Sequence, residues 1–76
     1  MRDEEIAQIL AESSEEFRHL SQEHRSLDEA LAELRKKRYL SPEEEVEKKR
    51  IQKLKLLKKD QMAELIRRYR REHNLA

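Results

Sequence analysis

His24 and Asp28 are the two side chains whose types and spacing come closest to a chemical site. They are four residues apart, so a helix would place them on the same face, one turn from each other. A histidine beside a carboxylate is a pattern found in general bases and in half of a metal site. No third group joins the pair, because His19 is five residues from His24 and would point about 140° away around a helix. We therefore expect an ordinary hydrogen-bonded pair, with no catalytic residue, cofactor site or metal site.

The composition limits what such groups can do. The 76 residues are 46% charged and 36% apolar, with a formal net charge of +1. A chain of this length forms one domain at most and buries too little surface to shape a deep pocket as a monomer. It has no Gly for a phosphate-binding loop and no Cys for a thiolate or a disulfide. Enzymatic activity is therefore not expected.

Apolar residues in the first half of the chain repeat at alternating intervals of four and three residues. Seven of the ten positions from Ile6 to Arg38 in this repeat are apolar, which is the pattern of a coiled-coil helix. Ser13 interrupts the repeat, and with Glu16 it forms the Ser-x-x-Glu capping box that starts a helix. We expect a short helix or extension over about 3–12 and a long helix over about 14–38, either continuous or separated by a bend.

Ser41, Pro42 and Glu44 mark the clearest break in the chain. Ser41 can cap free backbone N–H groups, Pro42 suits the first helical position, and Glu44 completes a second capping box. The following helix is expected over about 42–73. Its apolar face has a spacing nearer to an 11-residue repeat than to a heptad, which predicts a nearly straight helix. That face carries Ile51, Leu54, Lys58, Met62, Leu65 and Tyr69.

A short loop between two long helices makes them antiparallel neighbours. The predicted fold is therefore all-α, a single domain over residues 1–76 built as an antiparallel two-helix hairpin with coiled-coil packing. Charge favours one register, because residues 1–34 carry a net charge of −7 and residues 48–59 carry seven basic groups and no acidic one. In that register the arginines at 67–71 approach Glu12, Glu15 and Glu16. The apolar pairs are Leu34 with Val46, Leu31 with Ile51, Leu27 with Leu54, Leu20 with Met62 and Phe17 with Leu65.

The same register places His24 opposite Lys58, within otherwise apolar faces. In the simpler interpretation this is a partly wet layer, in which Lys58 extends its ammonium to solvent and His24 bonds to Asp28. The alternative is a polar layer that fixes the register or the oligomeric state at some cost in stability. Lys59 and Asp60 follow directly in the sequence and belong to the same set of polar candidates.

Two motifs in the chain resemble those of the YdcH-like family of short bacterial proteins. The first is Phe17-x-x-Leu20-x-x-x-His24-x-x-Leu27-Asp28, and the second is Lys53-x-Lys55-Leu56-x-x-Lys59-Asp60-x-Met62. The likeness extends from about Ile6 to Arg70, and it departs from the family at Lys58, where the family usually has Leu. The resemblance implies a helical hairpin with coiled-coil character and no established biochemical activity. It leaves the purpose of the His-x-x-x-Asp and Lys-Asp positions open.

Several apolar side chains lie outside the faces that the two helices share. We expect their burial between copies, because a thin two-helix core of this size usually needs such support. The chain is therefore expected to form a homo-oligomer, a dimer or a tetramer. These candidate oligomer contacts are Ile9, Leu56, Leu57 and Ile66.

The favoured function is that of a small non-enzymatic protein that contacts an unknown protein partner through its helices. No stretch is apolar enough to span a membrane, and the acidic start of the chain lacks the apolar core of a signal peptide, so a cytoplasmic location is expected. The alternative is a weak nucleic-acid or anionic-surface binder, disfavoured by the acidic first half and the net charge. Its binding residues would be Lys48, Lys49, Arg50, Lys53, Lys55 and Lys59.

Overall fold

The computed structural model describes residues 1–73 and contains three helices over that range. They are α1 (Asp3–Ser13), α2 (Glu15–Arg35) and α3 (Pro42–Glu72), and no strand occurs among these residues. The all-α prediction is confirmed, and α1 occupies the region expected as a short leading helix or extension over about 3–12. The expected domain of residues 1–76 includes residues 74–76, which lie outside the described part. The molecule is elongated, with extents of 49 × 19 × 17 Å.

The break between α1 and α2 is a single residue, Ser14. Its backbone is extended, with φ of −123° and ψ of 115°, and its hydroxyl accepts a hydrogen bond from the Phe17 N–H at 3.1 Å. The expected cap was Ser13, but the Ser13 hydroxyl instead donates to the Ile9 carbonyl inside α1. The Arg18 guanidinium donates to two carbonyls in the last turn of α1. Caps on both sides therefore separate α1 from α2.

The break between α2 and α3 confirms the second capping box. The Ser41 hydroxyl accepts from the Glu44 N–H at 3.2 Å, and the Glu44 carboxylate accepts from the Ser41 N–H at 2.9 Å. Pro42 takes the first helical position. Lys37 forms an ion pair with Glu44 across the turn. Helix α2 ends at Arg35, three residues before the expected end, so the connection occupies residues 36–41.

Helices α2 and α3 run antiparallel, side by side. Salt bridges join Asp28 to Lys55 and Glu23 to Lys58, so residue numbers rise along one helix as they fall along the other. In the same register Leu31 and Ile51 are both buried. Nearer the other end a cluster forms from Phe17, Leu20 and Leu65, with Met62 packed against it.

Val46 does not follow the expected pattern. It was expected to bury against Leu34, but it is 68% exposed and Leu34 is only half-buried. The reason is the early end of α2 at Arg35. In the register of the two interhelical salt bridges, Val46 lies level with the loop and has no helix beside it.

Helix α1 packs against both α2 and α3, so of the two expected arrangements the structure has the bent one. Ile6 is fully buried, and Ala7 and Leu10 pack against the cluster of Phe17, Leu20 and Leu65 together with Ile66. The expected approach of the late arginines to Glu12, Glu15 and Glu16 is replaced by other pairs. Arg70 pairs with Asp3, while Arg67 and Arg71 pair with Glu64 of their own helix. At the end of the molecule far from the 36–41 connection, the core is therefore formed by three helices.

No helix within residues 1–73 is both long enough and apolar enough to cross a membrane.

Candidate protein-interaction surface

The polar candidates of the sequence lie where α2 and α3 meet, and two salt bridges cross the boundary there. The Lys58 ammonium lies 2.7 Å from the Glu23 carboxylate, and the Lys55 ammonium lies 2.5 Å from the Asp28 carboxylate. The amino groups are largely covered, but the two carboxylates remain about half exposed. The bridges lie on opposite edges of the helix pair, since Glu23 and Asp28 are about 140° apart on α2, one to either side of its buried face.

His24 and Asp28 are one turn apart on α2, but the expected hydrogen bond between them does not form. The Asp28 carboxylate instead accepts a hydrogen bond from the Lys55 ammonium on α3. No hydrogen bond to the His24 ring occurs within residues 1–73. His24 is half-buried at the wall of a groove. Lys58 turns to Glu23, while Lys59 and Asp60 are exposed on the outside of α3. The five polar candidates therefore do not converge on one point.

The electrostatics of these pairs favours ionised carboxylates. The hydrogen bond from Lys58 lowers the pKa of Glu23, and the hydrogen bond from Lys55 lowers the pKa of Asp28. General acids at neutral pH need the opposite shift, which burial in a water-excluding cleft produces. Within residues 1–73, no three His, Asp or Glu side chains come close enough together to hold a metal ion. The Glu23–Lys58 and Asp28–Lys55 pairs therefore join α2 to α3 as ion pairs.

One edge of the α2–α3 pair carries an open groove of about 560 Å³. Its floor is apolar, made by Leu31 and Met62, and Leu56 stands at its edge with 59% of its surface exposed. Arg35 and Lys59 line the same groove, and neither forms a salt bridge within the part of the chain that the structure describes. The combination of an apolar floor and a basic rim is typical of a surface that packs against another helix.

The opposite edge of α3 carries a second apolar and basic surface. Val46 and Leu54 line a depression of about 500 Å³ there with Lys49, Arg50 and Lys53. Leu57, which is 48% exposed, follows one turn after Lys53.

The candidate anion-binding residues are divided between these two edges. At about 100° per residue around α3, Lys48, Lys55 and Lys59 fall on the edge of the first groove. The other three, Lys49, Arg50 and Lys53, fall on the edge of the second. Lys55 and Arg50 each form a salt bridge already, with Asp28 and Glu47 respectively. The structure therefore does not gather the six residues into one basic patch.

The four candidate oligomer contacts also differ in their surroundings. Leu56 and Leu57 are exposed and, as neighbours in the sequence, point about 100° apart around α3. Ile9 is half-buried on α1, and Ile66 is half-buried because it packs with α1 against the Phe17 cluster. Ile66 was expected to lie on a free flank, so its partial burial within the chain is a correction. Sequence periodicity missed it because it gave no reason to place residues 3–12 against the last turns of α3.

Val46 is an interaction candidate that the sequence reasoning placed in the core. The signal that pointed to its exposure is the run of basic residues at 35–38, which suits the end of a helix and so predicts that α2 does not reach Val46.

No protein-family model, curated protein or solved structure matches this chain. The likeness to the YdcH-like family therefore rests on its two sequence motifs alone.

Proposed function

We propose that this chain is a small, non-enzymatic cytoplasmic protein that acts as a scaffold or adaptor through helix–helix contacts with other protein chains. The observation that carries the proposal is the exposure of Val46, Leu56 and Leu57 along α3. Single exposed apolar side chains are common, but these three lie on one helix, next to open grooves with basic edges. Surfaces of this kind bind the apolar face of an amphipathic helix.

We further propose that the α2–α3 pair is a coiled-coil hairpin and that the chain belongs to the YdcH-like family. The buried positions of α2, from Phe17 to Leu31, support the first statement because they follow the alternating spacing of the sequence repeat. The motifs around His24 and Lys59 support the second. Neither statement adds a reaction to the proposed function.

Self-association into a dimer or a tetramer is part of the same proposal. The core is thin, with six buried apolar side chains among residues 1–73. At about 25 cal/mol per Å² of apolar surface, covering Leu56 and Leu57 would contribute a large share of the stability of so small a domain. Light scattering at increasing protein concentration tests this, and a constant monomer mass would contradict it.

Capture of partner proteins tests the function directly. The wild-type chain and a Leu56→Lys/Leu57→Lys variant are immobilised and exposed to extract of the source organism, and bound proteins are identified after chemical cross-linking. A matched control, Gln8→Lys/Ala30→Lys, adds the same charge at two exposed positions of α1 and α2, away from the surfaces of α3. We expect specific partners to bind the wild-type chain and the control but not the leucine variant. Identical binding by all three chains would refute the proposal.

The second candidate function is weak binding to nucleic acid or another anionic surface through Lys48, Lys49, Arg50, Lys53, Lys55 and Lys59. Lys49, Lys53 and Lys59 form no salt bridge within residues 1–73, which favours it, but their division between two edges does not. Tyr69 also offers little to a base, because it is half-buried and its ring stacks on His73 at 3.9 Å between centroids. A salt titration with generic DNA and RNA separates the two functions. Micromolar binding that weakens steeply with salt would favour this alternative, because it reports counterion release.

A further inference from the structure

The edge of α3 that carries Val46, Arg50 and Lys53 bears an exposed stripe, called here the outer stripe, whose spacing is symmetric about Leu57. The spacings between its residues are 3-4-3-4-4-3-4-3, which read the same in both directions. Its members are Glu43, Val46, Arg50, Lys53, Leu57, Gln61, Glu64, Arg68 and Arg71. This alternation keeps the stripe on one side of a helix. Every residue in it is exposed. No other part of residues 1–73 covers this side of α3.

The charges on this stripe are complementary to the same stripe read backwards. If two copies of α3 lie antiparallel with a two-fold axis at Leu57, Leu57 meets Leu57 and Arg50 meets Glu64. At the ends of the stripe Glu43 meets Arg71. Each unlike pair forms twice, because the two-fold axis repeats it.

The remaining positions of the stripe also tolerate this arrangement. Lys53 lies opposite Gln61, and Val46 lies opposite Arg68, whose aliphatic stem can cover an apolar side chain. No two like charges are placed opposite each other at any position of the stripe.

Other alignments of the same two stripes are unfavourable. Parallel pairing places each charge opposite its own copy, so that Arg50 meets Arg50 and Glu64 meets Glu64. An antiparallel pairing centred on Arg50 also places two arginines on the axis, and it puts Leu57 opposite Glu43. Among these alignments, the one centred on Leu57 is the one that joins apolar to apolar and acid to base.

We infer that two copies of this chain bind each other through the outer stripe of α3, antiparallel and with the two-fold axis at Leu57. This inference rests on the proposed function, since it names one partner and one register for the helix–helix contacts proposed above. It leaves the groove beside Leu56, on the opposite edge of α3, open to a different protein.

Charge reversal tests the pairing of Arg50 with Glu64. Arg50→Glu or Glu64→Arg alone places like charges across the interface and should weaken dimerisation about tenfold, measured by sedimentation at low salt. The double variant Arg50→Glu/Glu64→Arg restores unlike pairs and should return the dissociation constant to within about threefold of wild type. The two residues are about 21 Å apart along one helix, so the rescue must occur between two chains.

Matched controls and circular dichroism keep this test interpretable. Arg25→Glu and Glu29→Arg make the same charge changes at exposed positions of α2, outside the stripe, and should leave dimerisation unchanged. Helical content shows that each variant is folded. A double variant that dimerises no better than either folded single variant would overturn the inference.

Label distances test the register independently. The sequence has no Cys, so the variants Gln61→Cys and Arg68→Cys each carry a single spin label per chain. With the axis at Leu57, the two labels of a dimer should be separated along the helices by about 12 Å at position 61 and about 33 Å at position 68. Equal distances at both positions would show parallel pairing and overturn the inference.

The remaining outcomes separate this inference from the proposed function. A dimer with other label distances, or a monomer at all concentrations, refutes the register at Leu57. Either result is compatible with a leucine-dependent protein partner in the capture experiment. If the capture experiment instead finds no leucine-dependent partner while the label distances place the axis at Leu57, the adaptor function is refuted and this inference stands.

Discussion

The guanidinium of Arg70 donates a hydrogen bond to the Asp3 carboxylate at 2.6 Å, across 67 residues of sequence. A second bond from the same guanidinium reaches the Met1 carbonyl at 2.7 Å. In the register of α2 and α3, a straight continuation of α2 would place Asp3 level with a position beyond residue 76. The contact with Arg70 therefore requires α1 to turn at Ser14 and lie against the last turns of α3.

Ile6 should anchor this turned helix. It is fully buried, so Ile6→Ala removes three methyl or methylene groups from a closed site and should lower the free energy of unfolding by about 2 kcal/mol or more. Chemical denaturation measures the loss, and hydrogen exchange of the α1 amides shows whether α1 detaches first. The exposed neighbour substitution Gln8→Ala is the control and should change stability by less than about 0.5 kcal/mol. Equal effects of the two substitutions would contradict the docking of α1.

The sequence predicts those parts of this fold that depend on local signals. The Ser41 and Glu44 capping box is such a signal, and the structure contains both of its hydrogen bonds. The burial of Leu31 and Ile51 follows from periodicity together with a short loop. Each of these needs only neighbouring residues or one antiparallel pairing.

The position of α1 could not be predicted in the same way. Ile6 and Leu10 continue the apolar repeat of α2, so the pattern fits a straight helix and a bent one equally well. The bend depends on which of two adjacent serines caps the next helix, and on whether α3 offers a surface at Ile66 and Arg70 for α1 to cover. Val46 was misplaced for a related reason, since its burial depended on how far α2 extends.

Ser14 and Ser13 provide a matched pair for testing that bend. Ser14→Ala removes the hydroxyl that accepts from the Phe17 N–H, and should lower the free energy of unfolding by about 1 kcal/mol. Ser13→Ala removes only a hydroxyl that bonds back to Ile9 inside α1, so we expect a change of less than about 0.5 kcal/mol. Thermal and urea unfolding followed by circular dichroism measure both. The reverse ranking would show that Ser13 is the cap in solution.

Glu44 should make the turn before α3 sensitive to acid. Its hydrogen bond with Lys37, together with the bonds to Ser41, lowers the pKa of its carboxyl from 4.5 to about 2. Because the pKa in the folded state is the lower one, the resulting stabilisation is fully present above pH 4.5 and is lost as the pH falls towards 2. The melting temperature should therefore fall over this range. It should fall less steeply in Glu44→Gln, which keeps an oxygen to accept from the Ser41 N–H.

The control for this pH dependence is Glu45→Gln, at an exposed position of the same first turn and outside the proposed dimer interface. It should follow the wild-type profile, because Glu45 forms no salt bridge within residues 1–73. Carbon NMR gives a direct check, since the Glu44 carboxyl should remain mostly ionised at pH 3. A Glu44 titration midpoint near 4.5 would contradict the ion pair between Lys37 and Glu44.

Lys58 decides between the two interpretations of the polar layer. It occupies the inward face of α3, yet its ammonium reaches the half-exposed Glu23 carboxylate at the edge. An exposed pair of this kind contributes only about 0–1 kcal/mol, whereas a leucine at the same position would bury more apolar surface between the helices. Lys58→Leu should therefore raise the free energy of unfolding by about 1 kcal/mol. Glu23 remains solvated after the substitution, so the loss of its partner costs little.

Lys59→Leu is the matched control, because it makes the same change on the neighbouring exposed residue, and we expect it to alter stability by less than about 0.5 kcal/mol. Denaturation and sedimentation of both variants give stability and oligomeric state together. If Lys58→Leu lowers stability or changes the oligomeric state, Lys58 fixes the register or the number of chains in the assembly. If it raises stability and leaves the assembly unchanged, the layer of His24 and Lys58 is only partly shielded from water. Lys58 is then tolerated there because its long aliphatic stem lets the ammonium reach solvent.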